Sequence, residues 1–175
     1  MKHLVVMLLL TFLTGCASTA ASLPPLQTVP HVDLNRYMGD WYVIANIPYF
    51  AEKGKVATIE RYEAGPDGRI ANTFIFRKKS FTAPEQQWHA TGTVMNKETN
   101  AEWRVQFFWP IKLAYLVIDL DPDYRWAVVG HPSRNYFWIL ARDRRMKDEV
   151  YAAILQRAAA QGYDTSRIAK VPQPQ

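Results

Sequence analysis

Side chains that could do chemistry are few in this 175-residue sequence, and most are widely spaced. His31, His89 and His131 are separated by 58 and 42 residues, unlike the short intervals of a metal-binding motif. No Gly-x-Ser-x-Gly sequence, the motif that presents a nucleophilic serine, occurs in the chain. The single cysteine, Cys16, excludes an internal disulfide and a cysteine-based zinc site. The chemistry of Cys16 therefore depends on its position.

Cys16 directly follows a short apolar segment at the start of the chain. Lys2 supplies a positive charge, and residues 4–13 form an apolar run of ten, about half the ~20 residues that a membrane-spanning helix needs. This length is typical of the hydrophobic region of a signal peptide. The next residues, Leu13-Thr14-Gly15-Cys16, resemble the lipobox of bacterial lipoproteins. The resemblance implies a signal peptide at 1–15 and acylation of Cys16, for example with palmitate. The alternative is an ordinary secretory signal cleaved within 17–21.

Lipid on Cys16 would anchor the protein to a membrane. One acyl chain binds a bilayer marginally and two or more bind stably, because each buried CH₂ contributes about 0.8 kcal/mol. Residue 17 is alanine, whereas aspartate there favours inner-membrane retention in Gram-negative lipoproteins. The resemblance therefore implies the outer membrane and its periplasmic face. Residues 16–32 are small, polar and proline-rich, as in a tether, although Leu23, Leu26 and Val29 could instead cap one end of the domain predicted at 33–175.

Short extended segments separated by turns fill most of that domain. They are rich in β-branched and aromatic residues, and the turns between them contain Gly, Pro, Asp and Asn, as in Gly65-Pro66-Asp67-Gly68. Eight strands are predicted, at 40–50, 55–64, 69–79, 86–96, 101–109, 112–121, 124–131 and 135–142. Their even spacing favours an antiparallel meander, which is a sandwich or an up-and-down barrel.

One helix is predicted after the strands, at 147–161. Val150, Ile154 and Ala158 recur at helical spacing, and Gly162 suits the position after the helix end. The eighth strand is apolar on both faces, as expected where a helix covers the outer wall of a barrel. We therefore expect an all-β fold, a sandwich or an antiparallel up-and-down barrel, with this helix packed outside. Residues 167–171 could add a short ninth strand.

Three blocks of residues resemble the signature of the lipocalin family. Gly39 and Trp41 open the first strand, Asp123 and Tyr124 precede the seventh, and Arg142 closes the eighth. The resemblance covers roughly residues 33–172 and, with Cys16 upstream, is similar to bacterial outer-membrane lipocalins. It implies an eight-stranded antiparallel up-and-down β-barrel with the C-terminal helix on its outside. It also implies structural roles for these residues, with Trp41 plugging the closed end of the barrel under Arg142. The turn reads Asp121-Pro122-Asp123-Tyr124 and lacks the threonine of the family pattern. Either aspartate could therefore accept the backbone N–H groups of this turn.

The resemblance also implies that the barrel carries an apolar ligand, such as a fatty acid or a lysophospholipid. Strand alternation places one set of mostly large apolar residues on the inner face. These lumen candidates are Phe74, Phe76, Trp88, Trp103, Val105, Phe107, Tyr115 and Val117. Candidates for contact with a polar head group, by charge alone, are Arg77, Lys78, Lys79, Arg104 and Lys112.

Other functions remain as alternatives to a lipid carrier. A barrel filled by its own side chains could act as an interaction protein through a patch of exposed aromatics such as Tyr42, Tyr49 and Trp126, and a homodimer is possible. Haem binding would need an inward histidine, and alternation turns His89 outward.

An enzyme and a nucleic-acid-binding protein are not predicted. Carboxylates such as Glu60, Glu63 and Glu102 are expected to be solvated on mixed strand faces. The net charge of +5 comes from scattered basic residues, which do not indicate nucleic acid. No cofactor is predicted.

Overall fold

The computed structural model of the protein describes residues 23–174. Its strands are β1 (Gly39–Ile47), β2 (Lys55–Ala64), β3 (Arg69–Lys78), β4 (Glu85–Val94), β5 (Glu102–Phe108), β6 (Ile111–Leu120), β7 (Trp126–Gly130), β8 (Phe137–Ala141) and β9 (Ala169–Lys170). The α-helices are α1 (Leu34–Tyr37) and α2 (Asp148–Ala160), and 3₁₀ turns lie at Phe50–Glu52, Pro66–Gly68 and Thr165–Arg167. The predicted signal peptide and Cys16 lie outside the described residues. Within residues 23–174, neither α-helix has the length and hydropathy needed to cross a bilayer.

Strands β1 to β8 form one closed antiparallel barrel. Each strand from β2 to β7 pairs with the next along the chain, and β1 closes the sheet by pairing with both β8 and β2. The short β9 pairs with Ala45 and Asn46 of β1. The predicted eight-stranded up-and-down barrel with a C-terminal helix is therefore confirmed.

The predicted strand bounds differ from the observed ones by at most three residues. The largest difference is in β1, which ends at Ile47 rather than at residue 50. Pro48 follows directly and lacks the N–H needed to continue the ladder, and a 3₁₀ turn begins at Phe50. Helix α1 was not predicted. It begins where the Asp33 side chain accepts hydrogen bonds from the backbone N–H groups of Asn35 and Arg36.

Helix α2 packs on the outer wall of the barrel, as the two-sided apolar character of β8 predicted. Ile154 and Ala158 of the helix are buried against a cluster that includes Phe137 and Ile139 of β8. Leu140 belongs instead to the inner core. Alternate residues of β8 thus face two different apolar layers, which explains its sequence.

The closed end of the barrel is built around Trp41. Its indole is fully buried and donates a hydrogen bond to the backbone oxygen of Tyr37 at 2.7 Å. The Arg142 guanidinium lies over the indole, with Cζ 3.7 Å from the ring centroid, and donates to the backbone oxygens of Asp40, Arg36 and Met38. Gly39 has a φ of +93°, and a Cβ there would lie 3.3 Å from Arg142 Nη1. This conformation and this close approach favour glycine.

Asp121, and not Asp123, organises the turn between β6 and β7. Its carboxylate accepts hydrogen bonds from the backbone N–H groups of Asp123 and Arg125 and from the Arg125 side chain. The Asp123 carboxylate is exposed and lies 3.8 Å from Arg125. Of the two aspartates that the sequence left open, Asp121 therefore bonds this corner. Asp121 is the first residue of the turn, and its backbone oxygen accepts a hydrogen bond from the N–H of Tyr124. An aspartate at this first position can bond the backbone N–H groups of the following turn residues with its side chain.

The N-terminal segment 23–32 runs along the outside of the barrel. It starts beside the β7–β8 loop, where Arg134 donates to the backbone oxygen of Pro24. It ends at the β4–β5 turn, where the N–H of Val32 donates to the oxygen of Thr99 at 2.7 Å. Leu26 and Val29 pack on the two apolar clusters. These residues, predicted as part of a tether, are therefore packed on the domain.

Candidate functional site

One cavity of about 610 Å³ occupies the barrel and opens at the end away from Trp41. Its volume falls within the range of sites that hold a single small molecule. The loops between β1 and β2 and between β5 and β6 form part of its mouth, through Phe50, Phe108 and Ile111. The barrel is therefore not filled by its own side chains, contrary to the filled-core alternative.

The predicted lumen residues divide into two groups. Five of the eight line the cavity: Phe74, Trp88, Val105, Phe107 and Tyr115. The other three, Phe76, Trp103 and Val117, are fully buried in the inner core but are not part of the cavity wall. Trp103 stacks on Tyr115 with 4.8 Å between ring centroids, and Phe76 is covered by the Lys55 ammonium.

Three tyrosines form the floor beneath the cavity. The hydroxyls of Tyr37 and Tyr115 share a hydrogen bond of 2.8 Å, and Tyr115 donates to Tyr62 at 3.0 Å. Burial raises the pKa of all three phenols well above its ordinary value. These hydroxyls therefore stay neutral, and the chain of hydrogen bonds satisfies them at the bottom of an apolar space.

Glu60 lies inside the cavity, so its predicted solvation on a mixed face was wrong. It is on the inner face of β2, two residues before Tyr62. Asn72 Nδ2 of β3 donates to Glu60 Oε2 at 2.7 Å. Burial raises the pKa of the Glu60 carboxyl to about 8, while the Asn72 hydrogen bond opposes the rise and the charge of Glu52 adds to it.

Glu52 is a second carboxyl in the cavity wall, which the sequence did not reveal. It ends the 3₁₀ turn after β1, and its Oε2 accepts hydrogen bonds from Trp138 Nε1 at 2.9 Å and from Asn46 Nδ2 at 3.2 Å. Burial raises its pKa to about 7, against these hydrogen bonds and the charge of Lys55. Both acids of the cavity thus bind protons more tightly than solvated glutamates do.

None of the predicted head-group residues lines the cavity. Arg77, for example, donates to the backbone oxygen of Ala83 and to Glu85 on the outer surface. Lys55 contacts the cavity wall from outside the predicted set. Its Nζ lies 3.5 Å from the Phe76 ring centroid and 4.0 Å from that of Trp88. Charge alone could not identify it, because β2 bulges near Ala57 and turns Lys55 inward.

Large apolar side chains surround the mouth and are exposed to solvent. Phe50 lies in the β1–β2 loop, Phe81 in the β3–β4 loop, and Phe108, Trp109 and Ile111 at the β5–β6 hairpin. We call these five residues the apolar rim. Trp109 is the most exposed, at 87%. An apolar surface of this kind at one end of a domain is typical of a contact site.

The aromatics considered for an outer patch do not cluster. Tyr49 lies at the mouth beside Phe50, whereas Tyr42 and Trp126 flank Ala141 at the other end of β8. His89 is exposed and bonds Thr73 through its side chain. Within residues 23–174 no group of three His, Cys, Asp or Glu side chains could hold a metal ion.

Comparison with known proteins agrees with this architecture. Residues 32–173 match the model of a lipocalin-like domain. The chain is 35% identical to temperature-induced lipocalin-1 of Arabidopsis thaliana, covering 85% of this chain and 83% of that protein. It is 32% identical to the outer membrane lipoprotein Blc of Escherichia coli K12, covering 93% and 92%.

Solved structures show the same fold at lower sequence identity. Insecticyanin from the tobacco hornworm superposes with a TM-score of 0.69 at 19% identity, covering 87% of this chain and 86% of that one. The closed barrel, the outer helix, the Trp41–Arg142 contact and these matches lead to one conclusion: the chain is a member of the lipocalin family.

Proposed function

We propose that this lipocalin is a membrane-anchored carrier that binds one apolar amphiphile, such as a fatty acid or a lysophospholipid, in its barrel. The open cavity of about 610 Å³, with its largely apolar wall, carries the proposal. Transfer of a sixteen-carbon chain from water would gain on the order of 12 kcal/mol at about 0.8 kcal/mol per CH₂. Immobilisation removes part of this gain, and the remainder suffices for micromolar binding.

Binding rather than catalysis is the proposed role. The polar groups of the cavity wall are two glutamates, an asparagine, a glutamine, tyrosine hydroxyls and His89. The hydroxyl bonded to His89 is that of Thr73, which is not among the lining residues. The floor tyrosines bond to one another. Such groups can orient a ligand without a reaction.

We further propose that lipid on Cys16 holds the mouth of the barrel toward the membrane. Leu23, the first described residue, lies beside Gly162 at the mouth end. The seven Cα–Cα steps from Cys16 to Leu23 can span at most about 25 Å. The apolar rim lies at the same end. The related outer membrane lipoprotein of Escherichia coli supports the outer membrane, and we place the protein on its periplasmic face.

Tryptophan fluorescence tests ligand binding directly. Trp88 and Trp138 line the cavity, whereas Trp126 lies on the outer wall. The full chain carrying Cys16→Ser is titrated with oleate and, separately, with a lysophospholipid, and at least one of them should change the emission saturably at one ligand per protein. Trp88→Phe should reduce the change, and the control Trp126→Phe should retain it. Titrations that saturate with neither lipid would contradict the carrier proposal.

Membrane fractionation tests the anchor. The wild-type chain should sediment with the outer membrane, and the Cys16→Ser variant should be released with its barrel folded. A variant that still sediments with the membrane would refute lipidation of Cys16 as the anchor. Sedimentation of the released protein also tests the homodimer alternative, in which a second copy covers the apolar rim.

A further inference from the structure

Glu60 is a buried acid without a cationic partner. Its side chain lies in the cavity, and the described residues that act on its charge are Asn72 and a second acid, Glu52. Asn72 donates to Oε2, and no residue within 23–174 donates to Oε1. A buried carboxylate is costly unless it is paired and hydrogen-bonded. Residues 23–174 supply no cation for this pairing, so burial keeps Glu60 protonated in the protein alone.

The Glu60–Asn72 pair presents acceptor oxygens to the cavity. Among the residues described, no lysine or arginine lines the cavity. Lys55 contacts Trp88 from beside the cavity. Its charge acts on Glu52 and not on Glu60. Because the Asn72 amide nitrogen is directed to Glu60, the oxygen of the same amide is left without a donor from residues 23–174. The ligand that best complements this wall therefore brings hydrogen-bond donors and a positive charge.

The aromatic part of the wall accommodates an ammonium group. The Lys55 ammonium already lies over the Phe76 and Trp88 rings, at 3.5 and 4.0 Å from their centroids. Trp88 and Phe74 both line the cavity, and Phe74 is paired with Glu60 across β2 and β3. Aromatic faces combined with a carboxylate are a recurring environment for bound ammonium ions.

We propose that the cavity selects amphiphiles that carry an ammonium group, with Glu60 as the counter-ion. Asn72 positions the Glu60 carboxylate, and Glu52 is a second acid of the wall. The inference rests on the proposed carrier function and names the ligand class. The ammonium group could belong to a long-chain amine or to the ethanolamine head group of a lysophospholipid. A fatty acid, which is anionic at neutral pH, is the disfavoured ligand.

Binding of an ammonium group would release a proton. Burial holds the Glu60 carboxyl protonated at neutral pH, and a cation beside it favours the carboxylate. The proton passes from Glu60 to the buffer as the ion pair forms. The other titratable groups that face Glu60 are Glu52, Tyr37 and Tyr62, and the two phenols stay neutral throughout.

Three ligands with the same twelve-carbon chain separate charge from hydrophobicity. Dodecylamine, dodecanol and dodecanoate are titrated at pH 7, below their micelle concentrations, into the full chain carrying Cys16→Ser. We expect dodecylamine to bind at least about tenfold more tightly than dodecanoate, since tenfold corresponds to about 1.4 kcal/mol. Glu60→Gln should weaken the amine about tenfold and leave dodecanol within about twofold. The control Glu63→Gln, on the exposed end of β2, should change neither.

The outcomes distinguish this inference from the carrier function itself. Dodecanoate binding as tightly as dodecylamine to the wild type, with dodecanol also bound, would overturn the inference and leave the carrier intact. No binding of any of the three would overturn both. Calorimetry in two buffers of different ionisation enthalpy should show proton release with dodecylamine and none with dodecanol.

A matched pair of lysophospholipids identifies the source of the ammonium group. Preference for lysophosphatidylethanolamine over lysophosphatidylglycerol of the same chain length would identify the head group. Equal binding of the two, with the dodecylamine preference retained, would identify a long-chain amine.

Discussion

Replacement of Glu60 by glutamine should change how the stability of the barrel depends on pH. Glutamine has nearly the same shape, and its oxygen can accept the Asn72 hydrogen bond that Glu60 Oε2 accepts at 2.7 Å. The pKa of the Glu60 carboxyl is raised from 4.5 to about 8 by burial. The folded state therefore binds a proton that the unfolded state has lost, and stability falls as pH rises between these two values.

The magnitude follows from the same two values. A difference of one in pKa is worth about 1.4 kcal/mol, so the wild type should lose roughly 5 kcal/mol through Glu60 between pH 4.5 and pH 8. The Glu60→Gln variant lacks this loss. It should resemble the wild type near pH 5 and exceed it by several kcal/mol at pH 9.

Chemical denaturation between pH 5 and 9 measures this difference. Glu63→Gln, an exposed substitution on the same strand, is the control and should follow the wild type at every pH. Parallel curves for the wild type and Glu60→Gln would refute the reasoning, because they would mean that Glu60 titrates as a solvated glutamate.

Three further substitutions test other parts of the account. Trp41→Ala should destabilise the barrel by about 3–5 kcal/mol, because the indole is fully buried at the closed end; an unchanged melting temperature would contradict its role there. Asp121→Ala should cost about 1–3 kcal/mol in denaturant titrations, because it leaves two turn amides without their acceptor, whereas Asp123→Ala should cost much less. Trp109→Ser should leave stability within about 0.5 kcal/mol but reduce binding of the Cys16→Ser protein to liposomes, since Trp109 is 87% exposed in the apolar rim; unchanged liposome binding would exclude Trp109 from the membrane contact.

Local sequence patterns predicted the strands and the helix, and the resemblance to the lipocalin family selected a barrel rather than a sandwich. Alternation in β5 placed Trp103, Val105 and Phe107 on one face, and turn residues marked the strand ends. The helical stripe and the apolar β8 together predicted the outer helix. The N-terminal segment was harder, because its packing on the outer wall depends on contacts with residues such as Val117 and Thr99 far along the chain.

The site was predictable only in part, because alternation gives the face of a residue and not its height in the barrel. Phe74 and Trp103 both face inward, but Phe74 lines the cavity and Trp103 lies beside its floor. Glu60 was missed because a charged residue on a mixed face is ordinarily solvated. Its shared face with Tyr62, and the inward parity of Asn72 with Phe74, were the signals in the sequence. Glu52 lies in a 3₁₀ turn, where no strand alternation exists.

Native mass spectrometry of the full chain carrying Cys16→Ser, titrated with oleate and with lysophosphatidylcholine, tests the central claim most directly. A barrel with an open cavity of about 610 Å³ should form a one-to-one adduct at low micromolar ligand with at least one of them. The adduct should saturate and be displaced by the tighter ligand. A folded protein that forms no adduct with either lipid, or that accumulates several copies without saturation, would contradict the assignment of a single-ligand carrier.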